Sequence, residues 1–307
     1  VWEYPSGAPS SSTPAVAGEL VIFATRPGRV TALNRQTGRR VWEADLQHPI
    51  LASPIVVHGT VYIGTAEKKL HALDAAHGRE RWALATKDWV VDAVAFANER
   101  VIVASRYSRI HVVSVETGRE RLVYETGLGR HLGAGVAVQG SRAYFGTVRG
   151  SVWAIDWKAT TYPLERPMLF FKTNLYLWGM LSRPPVQKAT IWSRRIGGDV
   201  VHTPAVAHDL VYFTTSQGKV TALDTATGST RWSADLLVEI TAAPTVAGTT
   251  VLIGTKPGRV VGLEAHTGKA LWEFRAASEI SGSPIVAGDT MYVVSSDGTL
   301  YAITRAE

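Results

Sequence analysis

Short runs of β-forming residues, separated by turn residues, follow one another in a fixed order along the chain. A run such as Ala15-Val16-Ala17 or Ile285-Val286-Ala287 ends at a glycine; a second follows, as in Val61-Tyr62-Ile63-Gly64 or Val251-Leu252-Ile253-Gly254. After a tight turn comes a third, Val30-Thr31-Ala32-Leu33 or Val220-Thr221-Ala222-Leu223, and then a Thr-Gly turn (Thr37-Gly38, Thr117-Gly118, Thr227-Gly228, Thr267-Gly268) leads into a fourth run that carries a tryptophan. Runs this short, with glycines where positive φ is needed, predict strands and tight turns, and none of these units sustains a helical period.

The order repeats every 40 residues. Trp2, Trp42 and Trp82 keep that spacing, Leu122 takes the next place, and Trp192, Trp232 and Trp272 resume it: seven positions, six of them tryptophan. Pro14, Pro54, Pro204, Pro244 and Pro284 keep the same beat, with Val94 and Gly135 near the two missing places. Four strands in about 40 residues is the pattern of a propeller blade. The chain is therefore expected to be a single all-β domain, 1–307: a seven-bladed β-propeller of four-stranded blades. The last unit supplies three strands, so Val1-Trp2-Glu3-Tyr4 is expected to complete it and close the ring, which leaves no raw edges.

Composition narrows the chemistry. The 307 residues contain no cysteine, which removes disulfides, thiolate metal sites and a cysteine nucleophile. The chain starts at Val1 without a methionine, which suggests a removed leader or anchor, and it has no apolar run of bilayer-spanning length. A net charge of +6 favours anionic surfaces. The basic residues are dispersed through turns and form no aromatic-basic strip, so nucleic acid is not an expected partner.

The stretches from Ala32 to Trp42 and from Ala222 to Trp232 resemble the tryptophan-docking motif of pyrroloquinoline quinone (PQQ) dehydrogenases. The same repeat occurs in PQQ-like propellers that bind no quinone, including the lipoprotein of the outer-membrane β-barrel assembly machine. The resemblance implies that Trp2, Trp42, Trp82, Trp192, Trp232 and Trp272 are structural, packing between blades, and that the protein works outside the cytoplasm, in the periplasm or on a cell surface. Its enzymatic members have eight blades, a calcium near the quinone, an aspartate base and often a disulfide of adjacent cysteines. This chain has seven repeats, no cysteine and no clustered oxygen ligands of the kind calcium needs. Nucleophile-elbow, zinc-protease and phosphate-loop motifs are also missing. No catalytic residue, cofactor or metal is expected; the expectation is a protein-binding scaffold or accessory subunit of a membrane-associated complex.

Two further features bear on function. His48, Asp88, Asp92, His131, Asp199, His202, Glu239 and Glu279 stand on segments entering the innermost strands, where imidazoles and carboxylates could converge on a ligand at a channel mouth; the alternative is a solvated mouth. The turns between second and third strands carry Arg26, Arg29, Lys68, Lys69, Arg106, Arg109, Arg149, Lys219, Lys256 and Arg259, a basic rim suited to an acidic surface or anionic lipid.

The repeat breaks once. Asp74 precedes Trp82 by eight residues, whereas Asp156 precedes Trp192 by 36, an insertion of 28 within the segment 158–190. It carries Leu164, Met168, Leu169, Phe170, Phe171, Leu175, Tyr176, Leu177, Trp178, Met180 and Leu181 between prolines. A surface loop is ordinarily polar. This composition predicts a discrete element, a hairpin turning at Lys172-Thr173-Asn174 or a short helix, that docks a protein partner. Capping a blade and dipping into a bilayer surface are the competing readings.

Overall fold

The computed structural model describes residues 2–10, 12–90, 94–106, 108–127, 131–183 and 185–304. Its strands form seven antiparallel sheets, and the chain is a seven-bladed all-β propeller. The blades, numbered 1 to 7, span residues 15–45, 55–85, 95–125, 137–195, 205–235, 245–275 and 285–304. Blades 1 to 6 have four strands, each paired with the one before it in sequence.

Blade 7 departs from the expectation. It holds three strands, Ile285–Ala287, Thr290–Val294 and Leu300–Thr304, and Trp2 to Tyr4 form no strand; Val1 lies outside the described residues. The N-terminal segment is anchored through a side chain instead. The Trp2 indole N–H donates to the Arg35 carbonyl at 2.9 Å, and the ring lies against Gly38.

The chain divides into two compact units. Val1–His131 with Lys158–Gln187 contains blades 1 to 3 and the insertion; Leu132–Trp157 with Lys188–Glu307 contains blades 4 to 7. In each unit the core lies between consecutive blades. Ile22, Val30 and Trp42 of blade 1 pack with Val61, Ile63 and Leu73 of blade 2. In the second unit Tyr212, Val220 and Trp232 pack with Val251, Ile253 and Leu263. In blades 2 and 5 the second and third strands are thus buried on both faces and read as nearly continuous apolar runs.

The fourth strand explains the tryptophan beat. Opposite each tryptophan stands a small residue: Ala32 with Trp42, Ala72 with Trp82, Ala154 with Trp192, Ala222 with Trp232 and Gly262 with Trp272. Blade 3 pairs Val112 with Leu122, so the two side chains trade bulk. A register shift follows this pair in all six four-stranded blades. Each indole N–H then reaches the turn of the following blade: Trp42 to the Ala75 carbonyl, Trp82 to Val115, Trp192 to Thr225 and Trp232 to Ala265, at 2.8 to 3.0 Å. The position equivalent for Trp272 is 305, outside the described residues.

Candidate functional site

The insertion leaves blade 4 after the strand Ser151–Asp156 and returns to it at Thr190–Arg195. Between them is one helix, α1 (Glu165–Leu177), which decides the helix-or-hairpin alternative. Pro167 is tolerated because the first-turn amides have no intrahelical acceptor anyway. The Leu164 carbonyl takes the first helical bond, from the Met168 N–H at 3.0 Å. Gly179, at φ 76, ends the helix: its N–H donates to the Tyr176 carbonyl and that of Met180 to Leu175, a Schellman closure.

Both ends of the insertion are fastened to the outer strand of blade 3, Glu120–Glu125. The Thr161 N–H donates to the Arg121 carbonyl and its Oγ1 accepts from the Val123 N–H at 2.9 Å. Gln187 accepts from the Glu125 N–H at 3.2 Å and donates to the Glu125 carbonyl at 2.5 Å. Outward-facing backbone groups of this sheet edge, at Arg121, Val123 and Glu125, are thereby satisfied by the Thr161 backbone and by the Thr161 and Gln187 side chains. Between this strand and α1 runs a groove of about 280 Å³, lined by Val123, Thr161, Leu169, Phe170, Thr173 and Gln187 among others.

Beyond the clips the segment faces water. Leu169, Leu175 and Leu181 are half-buried, whereas Leu164, Met168, Phe170, Phe171, Tyr176, Leu177, Trp178 and Met180 are exposed. Phe170 is 74% exposed, Leu177 72%, and Trp178 and Met180 68% each.

Several of the channel-mouth candidates have local partners. His48 Nε2 lies 3.1 Å from Glu67 Oε2; His202 Nε2 lies 3.0 Å from the Ile240 carbonyl oxygen; Glu239 pairs with Lys256 at 2.7 Å. The Asp199 N–H donates to Gln217, and the Glu279 carbonyl accepts from the Ser296 N–H. His131 is half-buried, and Asp92 lies outside the described residues. Among the described residues no three His, Cys, Asp or Glu side chains are grouped to hold a metal ion. A cluster the sequence did not single out joins His48: Glu67 also contacts Lys69 and His71, at 3.1 and 3.2 Å, and His71 Nδ1 lies 2.7 Å from Glu80.

The basic turns are partly neutralised. Lys69 pairs with Glu67, Arg109 with Glu125 and Arg259 with Glu273. Blades 2 and 3 carry a recess of about 410 Å³ lined by Lys68, Lys87, Asp88, Trp89 and Arg109. Trp89 is 39% exposed, and the Arg106 guanidinium carbon lies 5.8 Å from its ring centroid. Asp88 is buried and accepts from the Trp89 N–H at 2.7 Å. Neither Lys68 nor Lys87 has a side-chain hydrogen bond or ion pair among the described residues, and both have left-handed backbones, φ 69 and 62. At the place of Lys68 the other turns have Gly28, Gly150, Gly218, Gly258 and Gly298, with Ser108 in blade 3. A side chain costs about 1–2 kcal/mol in that conformation.

A family model described as "Outer membrane protein assembly factor BamB" matches residues 1–87, 26–160, 185–237 and 216–307. The chain belongs to that family. BamB from Moraxella catarrhalis is similar in structure, at 22% identity and a TM-score of 0.73, over 96% of this chain and 82% of that one. The computationally designed Ika8 protein is similar at 14% identity and a TM-score of 0.67, over 95% of each chain. At these identities the likeness shows the fold. No curated protein matches the sequence.

The BamB-family matches cover every blade and leave 161–184 uncovered. That gap begins at Thr161, the first clip, and ends three residues before Gln187, the second. What the family model describes is the repeat; α1 stands apart from it.

Proposed function

We propose that the chain is a non-catalytic subunit of a membrane-associated complex that assembles outer-membrane proteins. It works outside the cytoplasm and docks a protein partner through the 158–190 insertion. Membership of the BamB family supports the setting, and the absence of quinone-enzyme features in the sequence supports a binding role. The observation that carries the docking site is the insertion around α1: it is clipped to blade 3 at Thr161 and Gln187, and its helix with the residues flanking it presents eight large apolar side chains to solvent, five of them on α1. Hydrophobic patches of this kind mark interaction sites, and aromatic residues and methionine are favoured at interface centres. Phe171 and Trp178 are the expected anchors.

Exchange of residues 162–186 for a short Gly-Ser turn tests the assignment. Intact protein, captured from solubilised native membranes, should hold a stoichiometric partner belonging to an outer-membrane assembly complex. The exchanged chain should fold and lose it, and Phe171→Ala with Trp178→Ala should do the same. Equal capture by all forms would remove the insertion as the docking element. Binding of the intact chain to protein-free lipid vesicles with no protein partner would replace docking by membrane contact.

A further inference from the structure

The recess in blades 2 and 3 has no residue of α1 in its lining, and its chemistry is of a different kind. Lys68, Lys87 and Arg109 supply three positive charges against one carboxylate in its lining, Asp88, and Arg106 adds a fourth positive charge over the Trp89 ring. The Asp88 carboxylate is already engaged by the Trp89 N–H. Lys68 and Lys87 have no partner among the described residues, and each is held in a backbone conformation that a glycine would occupy without strain. At the Lys68 position five sister turns do use glycine, so the lysine is not required by the turn.

We infer that this recess binds a carboxylate-bearing peptide segment of a partner protein. A volume of about 410 Å³ is several times that of one carboxylate and accommodates two neighbouring side chains with their backbone. The exposed Trp89 ring gives the peptide plane or an apolar neighbour a flat wall. The available cations are lysines, point charges without the planar fork that reads a phosphate in two places, and the Arg109 fork is held by Glu125 at 2.8 Å. Asp88 in the lining further disfavours a dense phosphate dianion. Separate single charges along an acidic segment match this arrangement. The site rests on the reading of the chain as a protein-binding platform, and no residue of the insertion lines it.

The test is calorimetric titration of the full chain with a blocked peptide of alternating glutamate and serine, at low and at high salt. The variant is Lys68→Gly with Lys87→Gly, which relieves two left-handed side-chain positions and is expected to fold. Saturable binding that weakens with salt and falls about tenfold in the variant supports the site. Phe171→Ser with Trp178→Ser should leave peptide affinity unchanged, so failure of the insertion reading and failure of this one are separable. No saturable binding, or equal affinity in the lysine variant, overturns the proposal. Tighter binding of inorganic phosphate or phosphatidylglycerol vesicles through the same lysines overturns it as well, by assigning the recess to a phosphate ligand.

Discussion

In blade 5 the chain passes from Asp224 to Ser229 through a tight turn; in blade 4 it passes from Asp156 to Ala189 through the whole insertion. Both gaps close with the same bond, from the N–H of the first residue to the carbonyl of the last, at 2.9 and 2.7 Å. The strand ends therefore fix where the connection leaves and returns, and place little demand on what lies between. The blade 5 turn does two further things. Asp224 Oδ1 accepts from the Ala226 and Thr227 amides, which rigidifies the turn, and Gly228 lies flat against the indole of Trp192. Blade 4 is the one blade of the first six without that glycine turn, and it follows the one repeat, blade 3, whose beat position is Leu122 instead of tryptophan. A turn released from holding an indole is free to be replaced.

The largest effect expected from this comparison is at the glycine. A Cβ at Gly228 would stand 2.5 Å from the Trp192 ring at a φ of 67. Gly228→Val combines left-handed strain with an overpacked contact, a loss of about 2–5 kcal/mol in chemical unfolding. Exchange of 162–186 for a Gly-Ser turn should cost far less, because that variant keeps Thr161, Gln187 and the Asp156–Ala189 closure. Equal losses in the two variants would mean that the regular turn has no special part in packing.

The fastening of the insertion comes next. Gln187→Ala deprives the Glu125 N–H and carbonyl of their partners, at about 1–2 kcal/mol where water cannot fully replace them. Hydrogen exchange should quicken at the Glu125 amide, while the Val123 amide, held by Thr161, keeps its protection. Unchanged exchange at Glu125 would remove Gln187 as the clip.

The repeat made the fold readable. A 40-residue beat of tryptophan, glycine and apolar runs states the blades almost one residue at a time, because each mark has its own contact: Trp42 needs Ala32 opposite and Gly78 beyond. That Trp2–Tyr4 form no strand was not readable, since so short a stretch specifies no strand partner; the docking of the Trp2 indole was, because it keeps the beat. The site divides in the same way. The apolar insertion announces itself as a departure from the beat, although its helical form depends on a closure at Gly179 that competes evenly with a turn at Lys172-Thr173-Asn174. The recess is hidden because its residues come from two connections and the start of the strand Arg109–Ser114. The one signal, a lysine where five sister turns have glycine, is visible when the blades are aligned with one another.

The smallest effect is expected at Asp224, and blade 1 shows why. Asn34 makes the same turn with a neutral amide, its Oδ1 accepting from the Gln36 and Thr37 amides. Asp224→Asn should therefore keep the turn and lose only the charge-assisted contact from Arg231, 2.7 Å from Oδ2. Arg231 is largely exposed, so the loss is about 0.5–1 kcal/mol at neutral pH. The Arg231 guanidinium, with the Thr227 amide, holds the Asp224 carboxyl at about 2 in the folded chain. An unfolded aspartate titrates near 3.9, roughly. The folded value is the lower one, so this contribution is fully present above about pH 4 and is lost as the pH falls toward 2. The stability difference between the parent chain and Asp224→Asn should accordingly be constant from neutral pH down to about 5 and shrink below 4. A difference that persists undiminished at pH 2 would show that Asn at this position disturbs the turn itself, and that blades 1 and 5 do not close alike.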